Sequence, residues 1–133
     1  MEFESLASRA KEYKRSGKYN CCQAVLLALK EDTGLLEEEL LYIGSGFCAG
    51  MGDQEATCGA LIGVGIACGL FTKGKFTLRY NKEIKDKFVS KCGALACKDL
   101  KKLVDGKPVC PCDICVYNAM RAYYEVLHKY NLK

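Results

Sequence analysis

Ten cysteines in a chain of 133 residues are the first chemistry this sequence offers. Thiolates are nucleophiles, soft metal ligands and halves of a disulfide couple, so spacing must decide between these uses. The first candidate is Cys58, which follows Gly50-Met51-Gly52 and Asp53 and leads directly into Gly59-Ala60-Leu61-Ile62-Gly63. From Ala56 to Phe71 there is no charge, and glycines recur four apart, at Gly59/Gly63 and at Gly65/Gly69. On a helix that spacing puts small residues on shared faces and lets neighbouring helices approach closely. The run predicts a central, buried helix with Cys58 at its N-terminal end, where the dipole favours a thiolate. The competing reading is a core helix whose cysteines act as small hydrophobes.

The second candidate is Cys112-Asp113-Ile114-Cys115, which follows Pro111 and opens the last predicted helix. A C-x-x-C pair there lowers a thiol pKa, but no βαβ pattern surrounds it, which weakens any thioredoxin analogy. As a metal knuckle it needs a second pair. Cys92/Cys97, Cys21/Cys22 and the lone Cys58 do not stand at zinc-ribbon spacing, and the clustered cysteine run of ferredoxins is absent. No C-x-x-C-H occurs, so attached haem is not expected. The one histidine, His128, lies near the end, so a metal site must be mainly sulfur-ligated. That disfavours His-rich catalytic zinc sites and Cys–His protease chemistry. A site must therefore be assembled from separate helices. Cys21 and Cys22 point about 100° apart on a helix, so one of them is expected to face it. Cys92 and Cys97, five apart, share no helical face and need not act together. Cys48, Cys68, Met51 and Met120 are expected in the core, and His128 on the surface.

The elements that must position these thiols read as helices. Phe3, Leu6, Ala10 and Tyr13 keep helical spacing until Gly17. Asn20 caps a second helix bearing Cys21 and Cys22, which Gly34 ends. Residues 35–43 form a third with Glu37, Glu38 and Glu39 outward, and then comes a glycine-rich stretch to Gly52 without a phosphate-loop signature. After the central helix and a turn at 72–75, residues 76–91 turn Tyr80, Ile84 and Phe88 inward until Cys92-Gly93. A short element carries Cys97–Leu100, residues 104–108 form a loop, and Ala119, Tyr123, Val126 and Tyr130 line the last helix. No strand pattern emerges. The expected fold is all-α: one domain over residues 1–133, a compact bundle of about five or six helices around the glycine-rich one.

Half the residues are hydrophobic and only two are proline, so the chain is expected to fold. Its net charge is +4, but lysines interleave with Asp and Glu, which argues for solvated helix faces and against nucleic acid. The first twenty residues hold no apolar signal region, and the uncharged stretch is shorter than the ~20 residues that span a bilayer. The expectation is a cytoplasmic protein without a membrane span, in a compartment where clustered cysteines mean metal binding or redox chemistry.

The order of motifs resembles a family of redox-active proteins named for a C_GCAxxG_C_C pattern. The matching residues are Asn20-Cys21-Cys22-Gln23-Ala24-Val25, Gly50-Met51-Gly52, Thr57-Cys58-Gly59-Ala60-Leu61-Ile62-Gly63, Cys97-Lys98-Asp99-Leu100, and Cys112 with Val116 and Ala119. The family is similar to the haem-free part of split-Soret cytochromes c. The resemblance implies a helical fold and four cysteines converging on one redox or metal centre: Cys21, Cys58, Cys97 and Cys112. Extra thiols stand beside three of them, which makes Cys22 and Cys115 reserves at the first and last positions. Three functions follow. The first is an iron–sulfur protein for electron transfer, or a component of an oxidoreductase, with the backbone at Gly59 and Gly63 supporting the cluster and lysines serving an acidic redox partner. The second is a metal-free thiol–disulfide protein or sensor. The third is a structural zinc or interaction module. A smooth glycine face or an exposed apolar one would also suit a homodimer.

Overall fold

The computed structural model describes residues 2–133 of the chain. They form an all-α fold, as expected. Helix α1 spans Glu2–Arg15, α2 Cys21–Ala28, α3 Lys30–Thr33 and α4 Glu37–Gly44. A π-helical turn, Gly50–Gln54, precedes α5, Gly59–Thr72. Then come α6, Thr77–Cys92, and the short α7, Cys97–Lys101. A two-residue hairpin, β1 Leu103–Val104 and β2 Lys107–Pro108, leads to α8, Cys112–Lys129.

The glycine-rich helix is central. It packs against α2, α6, α8 and α3, while α8 in turn supports α1, α6 and α2. Its two glycine pairs serve two neighbours. A Cβ at Gly59 would collide with the Phe47 carbonyl, and one at Gly63 with Val25 Cγ2 and, at 3.0 Å, the Cys22 carbonyl. On the other side, Gly65 faces Asn81 and Gly69 faces Thr77 of α6. The first pair brings the start of α2 against the start of α5; the second seats α6. Around them Leu26, Val64, Ile84, Phe88, Val116 and Tyr123 fill a continuous core.

Local chemistry fixes the ends of α2. Asn20 Oδ1 accepts the Gln23 backbone N–H at 2.8 Å, and Gln23 Oε1 accepts that of Asn20 at 3.0 Å, a reciprocal capping box. The amide of Asn20 also donates to the Gly44 carbonyl and that of Gln23 to Leu41, which ties α4 to this end of α2.

Three expectations need correction. Cys48 is exposed and Met51 is 60% exposed, because both lie on the loop and π-helical turn before α5, where Ala49 and Met51 take left-handed backbone conformations. Cys68 and Met120 are core residues, as read. Residues 104–108, expected as a plain loop, belong to the hairpin, with Leu103 opposite Pro108 and Val104 opposite Lys107. Its turn, Asp105-Gly106, has positive φ at both positions, which is the twist that matches a two-residue connection.

Candidate thiolate centre

Eight cysteines gather at one end of the molecule, with the exposed Cys48 near Cys97, and the helices explain why. Cys21, Cys97 and Cys112 are the first residues of α2, α7 and α8, and Cys58 is the N-cap of α5. Each therefore stands where unpaired backbone N–H groups and the helix dipole favour negative charge.

Main-chain bonds hold these starts together. Thr57 pairs with Ala96 in an isolated antiparallel bridge. The Cys58 N–H donates to the Leu95 carbonyl at 3.0 Å, and the Cys97 N–H to that of Ala56 at 3.0 Å. The π-helical turn seals the outer side of Cys97, where a Cβ at Gly50 would stand 2.8 Å from the Cys97 Cβ.

The thiols differ sharply in acidity. Hydrogen bonding to Cys21 leads the causes that draw the Cys112 thiol down to about 5, with Lys101 adding a hydrogen bond and its charge. The same contact, with burial, pushes Cys21 upward, so the pair holds one proton over a wide pH range. Cys58 is lowered to about 7, first by a hydrogen bond from Cys115, then against burial by the Ala60 and Leu61 amides. As a neutral thiol it makes no cap hydrogen bond, so those amides act on the thiolate. Burial raises Cys97 and pushes Cys22 up to about 12. Burial also opposes the charge of Lys101, yet its contact with Cys112 and the field of the surrounding thiolates hold its pKa above the usual lysine value.

A second, tighter group adjoins the first. The sulfurs of Cys92, Cys110 and Cys115, all buried, lie within 4.8 Å of one another and could hold a metal ion. Asn118 Nδ2 approaches the Cys92 Sγ at 3.4 Å, and the Cys115 thiol reaches the Cys110 carbonyl at 3.5 Å. Hydrogen bonds from Cys110 and Cys115 hold Cys92 well below the ordinary thiol value. Cys115 rises through its bonds to Cys110, Cys58 and Cys92. Cys110 is lowered by Cys115 but raised more by Cys92 and burial, to about 12.

The C-x-x-C pair thus divides. Cys112 faces Cys21 and Lys101, whereas Cys115, a reserve for the same position, belongs with Cys92 and Cys110 and touches the first group through Cys58. Cys110 was missed by spacing altogether. The hairpin brings it in: the Val109 N–H returns to the Lys102 carbonyl and the Cys110 N–H to that of Leu100, both at 3.0 Å. Asp105-Gly106 was the signal available for that reversal. Gly59 and Gly63 face α2 and Phe47, so their small size sets how near Cys21 and Cys22 come to Cys58. His128 is exposed near the end of α8, far along the chain from every thiol.

The helix starts of this all-α fold thus converge on unbridged cysteines. A family model described as "Putative redox-active protein (C_GCAxxG_C_C)" matches residues 19–126, and the chain belongs to that family. No curated protein and no solved structure matches it. Among the described residues no helix is long and apolar enough to cross a membrane.

Proposed function

We propose that the protein carries a thiolate-ligated iron–sulfur cluster for electron transfer, held by Cys21, Cys58, Cys97 and Cys112. The observation that carries this reading is the placement of all four at helix N-termini that meet at one end of the bundle. The donor set fits the group. Every candidate ligand is a sulfur, and four thiolates are what such a cluster requires. The excess negative charge has a partner in Lys101, and the charge of Lys14 also lowers the Cys112 thiol. Such a cluster spreads its thiolates around several metal and sulfide atoms, which suits ligands from four segments better than three touching sulfurs.

When bound, the cluster would supply one-electron transfer; the chain's own groups bind and orient it. The backbone bridge at Thr57 and Ala96 would keep Cys58 and Cys97 at fixed separation, and α2, seated on Gly59 and Gly63, would present Cys21. Burial of Cys58 and Cys97 limits access of water and oxygen. Protein purified without oxygen is expected to contain iron and acid-labile sulfide and to bleach in the visible on reduction. Colourless protein carrying zinc would replace this reading with a structural one.

One observation favours a second reading. Cys21 and Cys112 are adjoining helix-start thiols, and Cys112, drawn down to about 5 chiefly by Cys21, is thiolate near neutral pH. Without metal, that pair would cycle between the thiol–thiolate form and a disulfide, passing two electrons to an external disulfide and releasing the one proton it shares. Metal-free protein whose Cys21 and Cys112 join reversibly, located by mass mapping, would establish it.

A further inference from the structure

The tight group of Cys92, Cys110 and Cys115 has features that the four helix-start thiols lack. Its sulfurs stand within 4.8 Å of one another. A tetrahedral zinc–sulfur distance of about 2.3 Å places two ligands about 3.8 Å apart, so a single ion needs only a small closure of this group. None of the three thiols is more than 5% exposed, and no carboxylate or imidazole belongs to the group. Soft, all-sulfur surroundings select thiophilic ions.

The backbone around Cys92 also asks for a cation. Cys92 is the last residue of α6, where the helix dipole opposes a thiolate and favours positive charge. Asn118 supplies an N–H toward the Cys92 sulfur, the kind of outer contact that orients a metal ligand. The three residues come from the end of α6, the segment after the hairpin and the first turn of α8. A loop, α7 and the hairpin link α6 to α8 along the chain, so an ion here would pin the two ends of that connection together.

We propose that Cys92, Cys110 and Cys115 form a second metal site, for one thiophilic d10 ion of the zinc type, separate from the four-cysteine centre. Its three thiolates leave one coordination position for water or for Cys58, whose thiol adjoins Cys115. The ion ties the end of α6 to the start of α8.

The test uses the full chain, purified without oxygen, with iron measured first and cadmium then titrated as the probe, read by its thiolate absorbance. The parent protein is expected to bind one cadmium beyond its iron. Cys92→Ser, Cys110→Ser and Cys115→Ser together are expected to remove that equivalent, or weaken it at least tenfold, and leave iron unchanged. Cys21→Ser with Cys97→Ser is expected to remove iron and keep the cadmium equivalent. Helical circular dichroism checks folding, and Cys110→Ser alone serves if the triple variant fails to fold. Retention of the equivalent in the Cys110→Ser or triple variant, its loss with iron in the Cys21/Cys97 variant, or no cadmium binding at all would overturn the second site. Absence of iron from the parent refutes the cluster alone, because cadmium binding by the Cys21/Cys97 variant still decides this one.

Discussion

Two groups of thiols lie side by side and stabilise negative charge by different means. Cys21, Cys58, Cys97 and Cys112 draw on helix N-termini, backbone amides and Lys101. Cys92, Cys110 and Cys115 draw on one another and on Asn118, and Cys92 does so at the wrong end of its helix. In the first arrangement Cys112 and Cys58 are drawn toward the thiolate before any metal arrives, while Cys21 and Cys97 keep their protons. The second is crowded and buried, and Lys101 reaches it only through its field. Cys58 joins them through its contact with Cys115, and both groups feel the charge of Lys101.

The comparison breaks most severely at that contact. Cys58→Ser is expected to abolish visible absorbance and bound iron, while cadmium binding at the second group survives with reduced affinity. Loss of both would mean that the two groups are one site. Asn118→Ala is expected to sharpen the contrast from the other side. It removes the N–H facing Cys92 and should weaken the second ion by roughly 10–100-fold, with iron content untouched.

Reactivity separates the groups next. In metal-free protein the Cys112 thiol, half-buried and drawn down to about 5, should alkylate with a midpoint near that pH. The sign is fixed by the thiolate: a lowered pKa keeps it present above about 5, and the rate falls as pH drops through that value. Cys92 is also lowered but buried, so it should resist the same reagent. Cys21→Ala removes the main cause of the Cys112 shift and should move the midpoint upward. Peptide mapping of the alkylated protein across pH measures all three.

Smaller effects reach the first group through packing. Gly63→Ala overfills the contact with Val25 and the Cys22 carbonyl, at a cost of about 1–3 kcal/mol in urea unfolding. Asn20→Ala removes one half of the capping box and should cost about 1 kcal/mol. Both should disturb Cys21 more than Cys110, which rests on the hairpin. Equal sensitivity of the two thiols in hydrogen exchange or alkylation would blur the distinction between the groups.

Much of this was legible because helix signals are local. Paired glycines four apart revealed the two close faces of α5, and Asn20 revealed the start of α2. Helix starts then located Cys58 and Cys112. What spacing could not give is which thiols meet. Cys112 and Cys115 look like one pair in sequence, yet they face different partners because α2 and Lys101 approach one and α6 the other. Cys110 is placed by a reversal of the chain, and two-residue strands leave almost no periodicity to read. Cys48 and Met51 looked apolar enough for the core, but the left-handed residues around them turn the segment outward.

The four helix starts have one more consequence. A helix N-terminus carries roughly half a positive charge, weaker for a helix as short as α7. Several aimed at one point favour whichever oxidation state carries more electrons. Any redox group held there should be easier to reduce than the same group equally buried without those helix starts, before any partner docks. The bundle then acts as a fixed electrostatic bias on the direction of electron flow.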